Sequence, residues 1–513
     1  MTPYAPDRRQ VLFGILGVGA AAGLTACSSG SRTGTPGTAG APKSLESAIR
    51  AAEADRTTTG KIRALSLVAS PIEVDLGGRT VSTWAYGDTL PGAALRARAG
   101  DRVRVTFRNE LPEATSVHWH GLAIRNDMDG VPGVTTPEVA AGGSFAYDFV
   151  VPDPGTHWFH PHTGLQLDRG LYAPFIVDDP AEPGDYDTEW VVVLDDWTDG
   201  VGKTPDQIYA DLKSGATGGA DSGGMGGMSG MSSGSNGGDM SGMGMSGMGM
   251  SEGDVAYPFY LVNGRVPDDP DVLTAKPGQR VRLRIINAAS DTIFTVALGG
   301  HDLVVTHTDG YPVKPTRAAS LRIGMGERYD AVVTLADGVF PLVASPSGKE
   351  GLARALVRSG SGQPPALSAR PGELDSVPLT ADMLTVAAGA ALAKRSPDTS
   401  QDLVLAGTMS PYAWTVNGAA YEDSEPLKIR QGQAGRLRIR NRSMMPHPMH
   451  VHGHTFQLGT AGGTGPRKDT VLVPAMGGID VDLIADNPGR WMVHCHNTYH
   501  AVAGMMTRLD YTT

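Results

Sequence analysis

Histidines separated by one position are the feature of this sequence best suited to metal chemistry. Residues i and i+2 of a β-strand point to the same face, so each such pair presents two imidazoles together. A single pair is more often structural than metal-binding, but here five pairs lie in four short segments. The pairs are 118/120, 160/162, 450/452, 452/454 and 494/496. This clustering predicts a site in which several metal ions share imidazole ligands.

Cys495 stands in the middle of one of these pairs. If residues 494–496 form a strand, the thiol of Cys495 points to one face and the imidazoles of His494 and His496 point to the other. One sulfur could then bind a metal on one side while the two imidazoles bind further metals behind it. The backbone beside the cysteine would become a short covalent route for electrons between the two sites.

The identity of the metal follows from the types of ligand available. A thiolate, two imidazoles and a weak thioether are the ligands of a blue-copper electron-transfer site. Cys495, His500 and Met505 follow one another at intervals of five residues, and His447 can supply the fourth ligand. A structural zinc site usually uses several thiolates, and non-haem iron asks for carboxylates among the histidines. The sequence therefore favours copper.

The positions of the pairs say where the metals would lie. They fall near residues 118–162 and 447–500, and none lies in the 280 or so residues between. Their joint use requires the first and last parts of the chain to meet face to face. A metal cluster at that interface is the prediction.

The four histidine segments, in this order and at these separations, resemble those of three-domain multicopper oxidases, the laccase and cuprous oxidase group, and especially exported actinobacterial members. The resemblance covers residues from about 60 to 513 and implies four copper ions. The ligands of the type 1 copper would be His447, Cys495, His500 and Met505. The ligands of the type 2 copper would be His118 and His450. The ligands of the type 3 pair would be His120, His160, His162, His452, His494 and His496.

The resemblance also implies a reaction. Electrons removed one at a time from a substrate would pass through Cys495 to the other three coppers, which reduce dioxygen to water. Asp129 matches the proton-donating aspartate of the family, although an aspartate before glycine is also a common surface turn. Bacterial relatives often carry glutamate where this chain has Ala501, so either another acid or an ordered water chain delivers protons there, or turnover is slowed. Asp129 and Cys495 are the predicted catalytic residues.

The remaining histidines receive supporting roles. His157 and His454 lie beside predicted ligands but outside the family pattern, so hydrogen bonding to ligands is the expectation. His301 and His307 lie in the middle of the chain, and we expect them to be structural or surface residues.

The substrate predicted from the sequence is Cu(I), with phenolic compounds oxidised beside it, in the service of copper tolerance. Thioether sulfur is a soft ligand that selects Cu(I). Eight methionines lie within residues 225–250 among glycine and serine, a composition typical of a disordered loop. Met445 lies two residues before His447, and Ser443 stands where cuprous-oxidising relatives tend to carry an acid. A linker without any binding role remains the alternative for the methionine-rich segment.

The elements that would position these residues are short strands. The chain contains 68 glycines and 36 prolines, and only 19% of its residues are charged. This composition is typical of a turn-rich, all-β chain. Alternating strands are predicted at 102–107, 145–151, 280–286 and 437–440, and three of them follow a similar glycine turn. This repeat predicts three copies of one β-sandwich unit, and the family resemblance implies that they are cupredoxin-like Greek-key domains. Their expected ranges are 61–180, 188–365 with the methionine-rich loop 225–250, and 375–513.

The first sixty residues are predicted to serve export and tethering. Arg8 and Arg9 precede a weakly apolar run, residues 11–26, that resembles a Tat signal, and residues 24–27 resemble a lipobox. Residues 1–27 would be the signal and 28–60 a flexible tether with a short helix near residues 45–54. A periplasmic or cell-envelope location follows, with membrane contact only through a lipid on Cys27. Net charge of −11 without a basic run argues against a nucleic-acid partner, and a monomer is expected.

Two other functions fit part of the pattern. A copper nitrite reductase shares the sandwich and the type 1 ligands, but it lacks the full set of histidine pairs. A non-enzymatic copper buffer would explain the methionines, but not eight histidines arranged as for a three-copper cluster. Oxygen consumption by copper-loaded protein separates the enzyme from the buffer.

Overall fold

The computed structural model describes residues 44–182, 184–215, 252–459 and 464–512. The predicted signal, residues 28–43 of the tether and the methionine-rich loop lie outside the described residues, so those three assignments stay predictions. Helix α1 spans Leu45–Ala54, where the sequence pattern predicts a helix. Among the described residues, no helix is long and apolar enough to cross a bilayer.

The first sandwich contains eight strands. They are β1 (Ile62–Asp75), β2 (Thr80–Tyr86), β3 (Leu95–Arg98), β4 (Arg102–Asn109), β5 (His118–His120), β6 (Ser144–Val150), β7 (Gly155–His160) and β8 (Ala173–Asp178). They form one sheet of order β2-β1-β4-β6 and a second of order β3-β8-β7-β5. Buried and exposed residues alternate along β4, because one face of its sheet packs on the core.

Within its described residues, the second sandwich contains eleven strands and helix α2 (Pro205–Ser214). The strands are β9 (Thr188–Trp197), β10 (Phe259–Val262), β11 (Val272–Thr274), β12 (Arg280–Asn287), β13 (Phe294–Leu298), β14 (Leu303–Thr308), β15 (Tyr311–Ala318), β16 (Leu321–Ile323), β17 (Arg328–Thr334), β18 (Val339–Pro346) and β19 (Ala353–Arg358). Their sheets have the orders β10-β9-β12-β17-β14-β15 and β11-β19-β18-β13-β16.

The third sandwich contains eleven strands and helix α3 (Thr498–Val502). The strands are β20 (Thr399–Met409), β21 (Tyr412–Val416), β22 (Leu427–Arg430), β23 (Ala434–Asn441), β24 (His447–Val451), β25 (Phe456–Leu458), β26 (Arg467–Lys468), β27 (Thr470–Val473), β28 (Gly478–Ile484), β29 (Arg490–Cys495) and β30 (Met506–Thr512). Their sheets have the orders β21-β20-β23-β28-β25-β26 and β22-β30-β29-β24-β27.

The three sandwiches repeat one topology. In each, the first long strand pairs in parallel with the strand that follows the glycine turn: β1 with β4, β9 with β12, and β20 with β23. Gly100, Gly278 and Gly432 occupy equivalent positions in these turns with φ of +84°, +80° and +83°, a conformation that favours glycine. The predicted all-β fold of three sandwiches is therefore confirmed, while the exact domain boundaries stay predictions.

The cores show how the sandwiches are joined. Buried apolar side chains of the second and third sandwiches form one continuous cluster, whereas the first sandwich has a core of its own. The first sandwich meets the second in two smaller apolar clusters, one containing Trp158 and Val193 and the other containing Leu76 and Leu261. Buried polar and charged side chains surround the histidines described next.

Candidate metal centres

Two pairs of antiparallel strands position the predicted ligands. In the first sandwich β5 pairs with β7, which sets His118 opposite His160. In the third sandwich β24 pairs with β29, which sets His450 opposite His494 and Met449 opposite Cys495. Direct cross-strand neighbours have β-carbons about 5 Å apart, so both pairings bring imidazoles of distant sequence together.

The two strand pairs meet and bring eight histidines into one group, here called the histidine cluster. The cluster contains three sets of three residues. In each set, every residue contributes one ring nitrogen, and the three nitrogens lie within 4.8 Å of one another. These sets are His118, His120 and His450; His120, His160 and His496; and His162, His452 and His494. Each set combines residues of the first and third sandwiches, which is the interface at which the sequence predicts a cluster.

The imidazoles of the cluster point ring nitrogens toward one another. Nε2 of His494 lies 3.0 Å from Nε2 of His452 and 3.3 Å from Nε2 of His162. Nε2 of His496 lies 3.3 Å from Nε2 of His160. Burial first, and neighbouring imidazoles second, lower the pKa of each of these five side chains. Neutral imidazoles are the form that binds metal ions.

Other ring nitrogens of the cluster are buried without a partner. Nδ1 of His118 and of His450 bond the backbone carbonyls of Asp129 and Asp469, which leaves their Nε2 atoms unpaired. His120 is reversed: its Nε2 contacts Asp469, and its Nδ1 is unpaired. Buried polar atoms normally have partners, so orphaned nitrogens inside a ring of imidazoles fit a metal-binding site.

A second group, here called the cysteine site, lies in the third sandwich. Sγ of Cys495 is 3.6 Å from Nδ1 of His447 and 3.7 Å from Nδ1 of His500, and these two nitrogens are 3.1 Å apart. Met505 is fully buried, and its backbone bonds those of Cys495 and His500. One soft sulfur and two imidazoles converging on one point suit copper.

The strand at Cys495 joins the two groups. The Cys495 thiol lies in the cysteine site, while the neighbouring imidazoles of His494 and His496 lie in the histidine cluster. The structure therefore places the thiol and its two neighbours in different sites, as expected from alternation along a strand.

Asp129 and Asp469 flank the histidine cluster, and both are fully buried. Oδ2 of Asp129 lies 2.9 Å from Nδ1 of His452, and its Oδ1 has no hydrogen bond. Oδ1 of Asp469 lies 3.2 Å from Nε2 of His120. A carboxylate on the outer nitrogen of an imidazole fixes the orientation of the ring and makes the inner nitrogen more basic.

Sequence reasoning missed Asp469 and its partner Arg328. The Arg328 guanidinium, from the second sandwich, donates to both carboxylate oxygens of Asp469 at 2.7 and 2.6 Å. This carboxylate keeps a pKa well below its usual range, because Arg328 outweighs the effect of burial. The second sandwich thus touches the cluster through Arg328 and Asp469, although it supplies none of the eight histidines.

Sequence reasoning also missed Asp254 and Tyr412, which lie at the cysteine site. Oδ2 of Asp254 lies 3.0 Å from Nε2 of His500 and accepts a 2.6 Å hydrogen bond from the hydroxyl of Tyr412. Burial alone would lower the pKa of His500, but the Asp254 carboxylate raises it to about 10 in the metal-free chain. No sequence pattern points to Asp254, which stands just after the methionine-rich segment.

The other histidines lie outside both groups. His454 bonds the backbone carbonyl of His452 and the hydroxyl of Tyr511, so it supports a cluster residue through the backbone. His157 is buried, and neither of its side-chain nitrogens bonds a predicted ligand, so the hydrogen bond expected from the sequence is absent. His301 bonds Gly299 and Ala336, and His307 bonds Thr306, which are structural contacts.

Comparisons with known proteins agree with this chemistry. Three family models, each described as multicopper oxidase, match residues 69–182, 188–361 and 394–513. The multicopper oxidase MmcO of Mycobacterium tuberculosis (strain ATCC 25618 / H37Rv) is 50% identical over 506 residues, which cover 98% of this chain and 97% of that protein. A copper resistance protein A homolog of Pseudomonas syringae pv. tomato is 28% identical, covering 86% of this chain and 90% of that protein.

Solved structures agree on the fold. The multicopper oxidase Fet3p, described as functioning in iron import, superposes with a TM-score of 0.73 and covers 88% of this chain and 90% of its own. At 19% identity this likeness shows the fold alone. The family models and the half-identical relative go further: this chain belongs to the multicopper oxidase family and is an oxidoreductase.

Proposed function

We propose that this oxidase takes single electrons from Cu(I), and from phenolic compounds beside it, and uses four of them to reduce dioxygen to water. Its cofactor would be four copper ions, one in the cysteine site and three in the histidine cluster. Copper would supply the redox chemistry: it accepts one electron at a time from the substrate and delivers four to dioxygen.

The observation that carries this proposal is the position of Cys495 between the two groups. Its thiol converges with two imidazoles, and its sequence neighbours His494 and His496 each lie within 3.3 Å of another cluster imidazole. Two peptide units therefore connect the sites covalently. A lone metal-binding site would not need this arrangement, and a chain that only stores copper would gain nothing from it.

Electrons would enter the cysteine site on its His500 side. The inner nitrogen of His500 faces the thiol, and its outer nitrogen faces Asp254. The methionine-rich segment, residues 225–250, lies between residues 215 and 252, which are the nearest described residues on either side of it. Both flanks lie beside this site, since Asp254 bonds His500 and the hydroxyl of Tyr209 on α2 bonds the carbonyl of Val502. A segment whose two described flanks lie at this site, and whose composition is rich in soft methionine sulfur, supports Cu(I) as the substrate.

Two further methionines border the cysteine site from the His447 side. Met444 and Met476 are 58% and 59% exposed. The amide of Met476 bonds the carbonyl of Ser443, whose hydroxyl lies 2.7 Å from Nε2 of His447. Exposed thioethers at this position could receive Cu(I) at the protein surface.

Proton delivery would come from two sides of the cluster. Asp129 could hold a proton on Oδ1, the buried carboxylate oxygen that has no hydrogen bond. On the other side, where relatives carry a glutamate, a cavity of about 100 Å³ lies beside Ala501 and is also lined by His162, His496 and Thr498. Such a volume holds several waters, and a water chain would replace the missing acid.

The cellular role we propose is copper tolerance at the cell envelope. A relative of this chain is named for copper resistance, and the twin-arginine and lipobox-like residues near the N-terminus are typical of exported lipoproteins. Cell fractionation and mass spectrometry of the mature N-terminus test the location. Protein that keeps residues 1–27 and stays in the cytosol would contradict it.

The deciding experiment measures copper content, visible absorption and oxygen consumption on one purified sample. We expect about four coppers per chain, an intense blue colour, and oxygen uptake driven by Cu(I) and by a phenol. Protein that binds copper but consumes no oxygen would be a buffer. Deletion of residues 225–250 then tests the substrate: Cu(I) oxidation should fall while phenol oxidation stays, and two unchanged rates would remove the loop from the proposal.

A further inference from the structure

The turn between β16 and β17 brings the second sandwich against the histidine cluster. It contains Gly324 and Gly326 and leads into Arg328, the first residue of β17. Gly326 has φ of +83°, a left-handed conformation that favours glycine.

Gly326 has no room for a side chain. A β-carbon built at this position would lie 2.8 Å from Cδ2 and 2.9 Å from Cγ of His496, and 3.0 Å from Cε1 of His120. Ordinary van der Waals contact begins near 3.5 Å, so at least one imidazole would have to move. These two rings belong to the same set of three converging nitrogens, together with His160.

The turn cannot easily retreat from the rings. The amide of Gly326 donates to the carbonyl of Asn287 at 2.9 Å, and its carbonyl accepts a 3.1 Å hydrogen bond from Arg328. Arg328 is itself fixed on two sides, by both oxygens of Asp469 and by the carbonyl of Thr156 in the first sandwich. Hydrogen bonds to all three sandwiches thus hold the bare α-carbon of Gly326 against the cluster.

We propose that Gly326 is a positioning residue of the histidine cluster. Its backbone forms a wall that fixes the separation of the His120 and His496 imidazoles, so that the second sandwich completes a site whose ligands come from the other two. This inference rests on the proposed function, because it assumes that these two imidazoles bind the same copper pair. The bulk of one methyl group at position 326 should therefore disturb the cluster and leave the cysteine site intact.

The test is the variant Gly326→Ala, compared with the unchanged protein and with Gly278→Ala. Gly278 has φ of +80° and no atom within 4 Å of its β-carbon, so its variant carries the same backbone strain without the collision. We expect Gly326→Ala to keep the blue absorption, to lose copper from the cluster, and to slow oxygen reduction ~100-fold, as for a misplacement of about 1 Å. Gly278→Ala should keep all its copper. Full copper in the cluster of Gly326→Ala, or equal losses in the two variants, would overturn the proposal.

A second comparison uses the metal-free full-length chain and needs no activity. The fall in melting temperature caused by Gly326→Ala should be smaller in a His496→Ala background, because one of the colliding rings is then gone. Equal falls in both backgrounds, or failure of both to fold while Gly278→Ala folds, would contradict the packing. If the unchanged protein binds no copper in the cluster, the proposed function fails, while this comparison still tests the wall.

Discussion

The cysteine site and the histidine cluster are built in different ways from the same kinds of residue. All four residues of the cysteine site lie between 447 and 505 in the third sandwich, and three of them lie within eleven positions. The cluster takes its histidines from the first and third sandwiches, with 288 positions between His162 and His450, and Arg328 of the second sandwich flanks it through Asp469. The first site needs one domain to fold, whereas the second needs three domains to dock.

Their electrostatics differ as well. Burial and neighbouring imidazoles lower the pKa values of six cluster histidines, so these six side chains are uncharged in the metal-free protein. At the cysteine site, Asp254 raises the pKa of His500 to about 10, so that ring carries a proton until metal displaces it. Because the cluster depends on the docking of three domains, loss of the contacts between domains should damage it before the cysteine site.

Arg328→Met should give the largest difference in copper retention between the histidine cluster and the cysteine site. It leaves the carboxylate of Asp469 buried without its guanidinium, which typically costs about 3–5 kcal/mol. We expect copper to be lost from the cluster while the blue colour stays. Arg436→Met is the control, since its ion pair with Asp482 is more than one-third exposed and contributes little. Equal copper loss in both variants would mean that Arg328 has no special role.

Asp129→Asn should separate substrate oxidation from oxygen reduction. An amide cannot donate the proton that we assign to Oδ1, and loss of a general acid typically slows a step ~100-fold. Anaerobic bleaching of the blue colour by substrate should keep its rate, while reoxidation by dioxygen slows. Asp127→Asn, in the same turn, should change neither rate, because Asp127 pairs with Arg125. Slower bleaching in Asp129→Asn would place its effect at the wrong site.

The metal-free protein should lose stability as the pH falls below about 6.5, the ordinary histidine pKa. The six cluster histidines have lowered pKa values when folded, so below this pH the unfolded chain binds more protons than the folded chain. Each contributes up to about 1.4 kcal/mol per pH unit. His500 acts oppositely: its raised pKa stabilises the fold below about 6.5, and this contribution is lost as the pH rises toward 10. Denaturation at pH 5, 7 and 9 measures the net slope, to which the buried Asp168, Asp195 and Asp196 contribute in the opposite sense because burial raises their pKa values. Greater stability at pH 5 than at pH 7 would contradict the dominance of the histidines.

Met444→Leu combined with Met476→Leu should have the smallest effect, and only on one substrate. Leucine keeps the apolar volume but removes the sulfur, so Cu(I) oxidation should slow severalfold while phenol oxidation is unchanged. Met383→Leu, at a third exposed methionine, is the control. An equal change in both substrates would show that these residues affect the cysteine site in general and do not receive Cu(I).

The comparison also explains how far the sequence could predict this molecule. Spacing identifies Cys495, His500 and Met505 because their geometry is local, and strand alternation places His494 and His496 on the face opposite the thiol. The alternating strands that follow Gly100, Gly278 and Gly432 reveal the repeat because each turn and its strand are also local in sequence. Arg328, Asp469 and Gly326 carry no such signal, because their importance arises only when three domains pack together. Asp254 was missed because its partner, His500, lies 246 positions away.

The most direct test of the account is the variant Cys495→Ser, studied for colour, copper content and turnover together. We predict loss of the blue absorption and of oxidase activity, while the histidine cluster keeps its three coppers, since none of its ligands has changed. A fully metallated variant that stays blue and still consumes oxygen would show that electrons do not pass through this residue, and the account would be wrong.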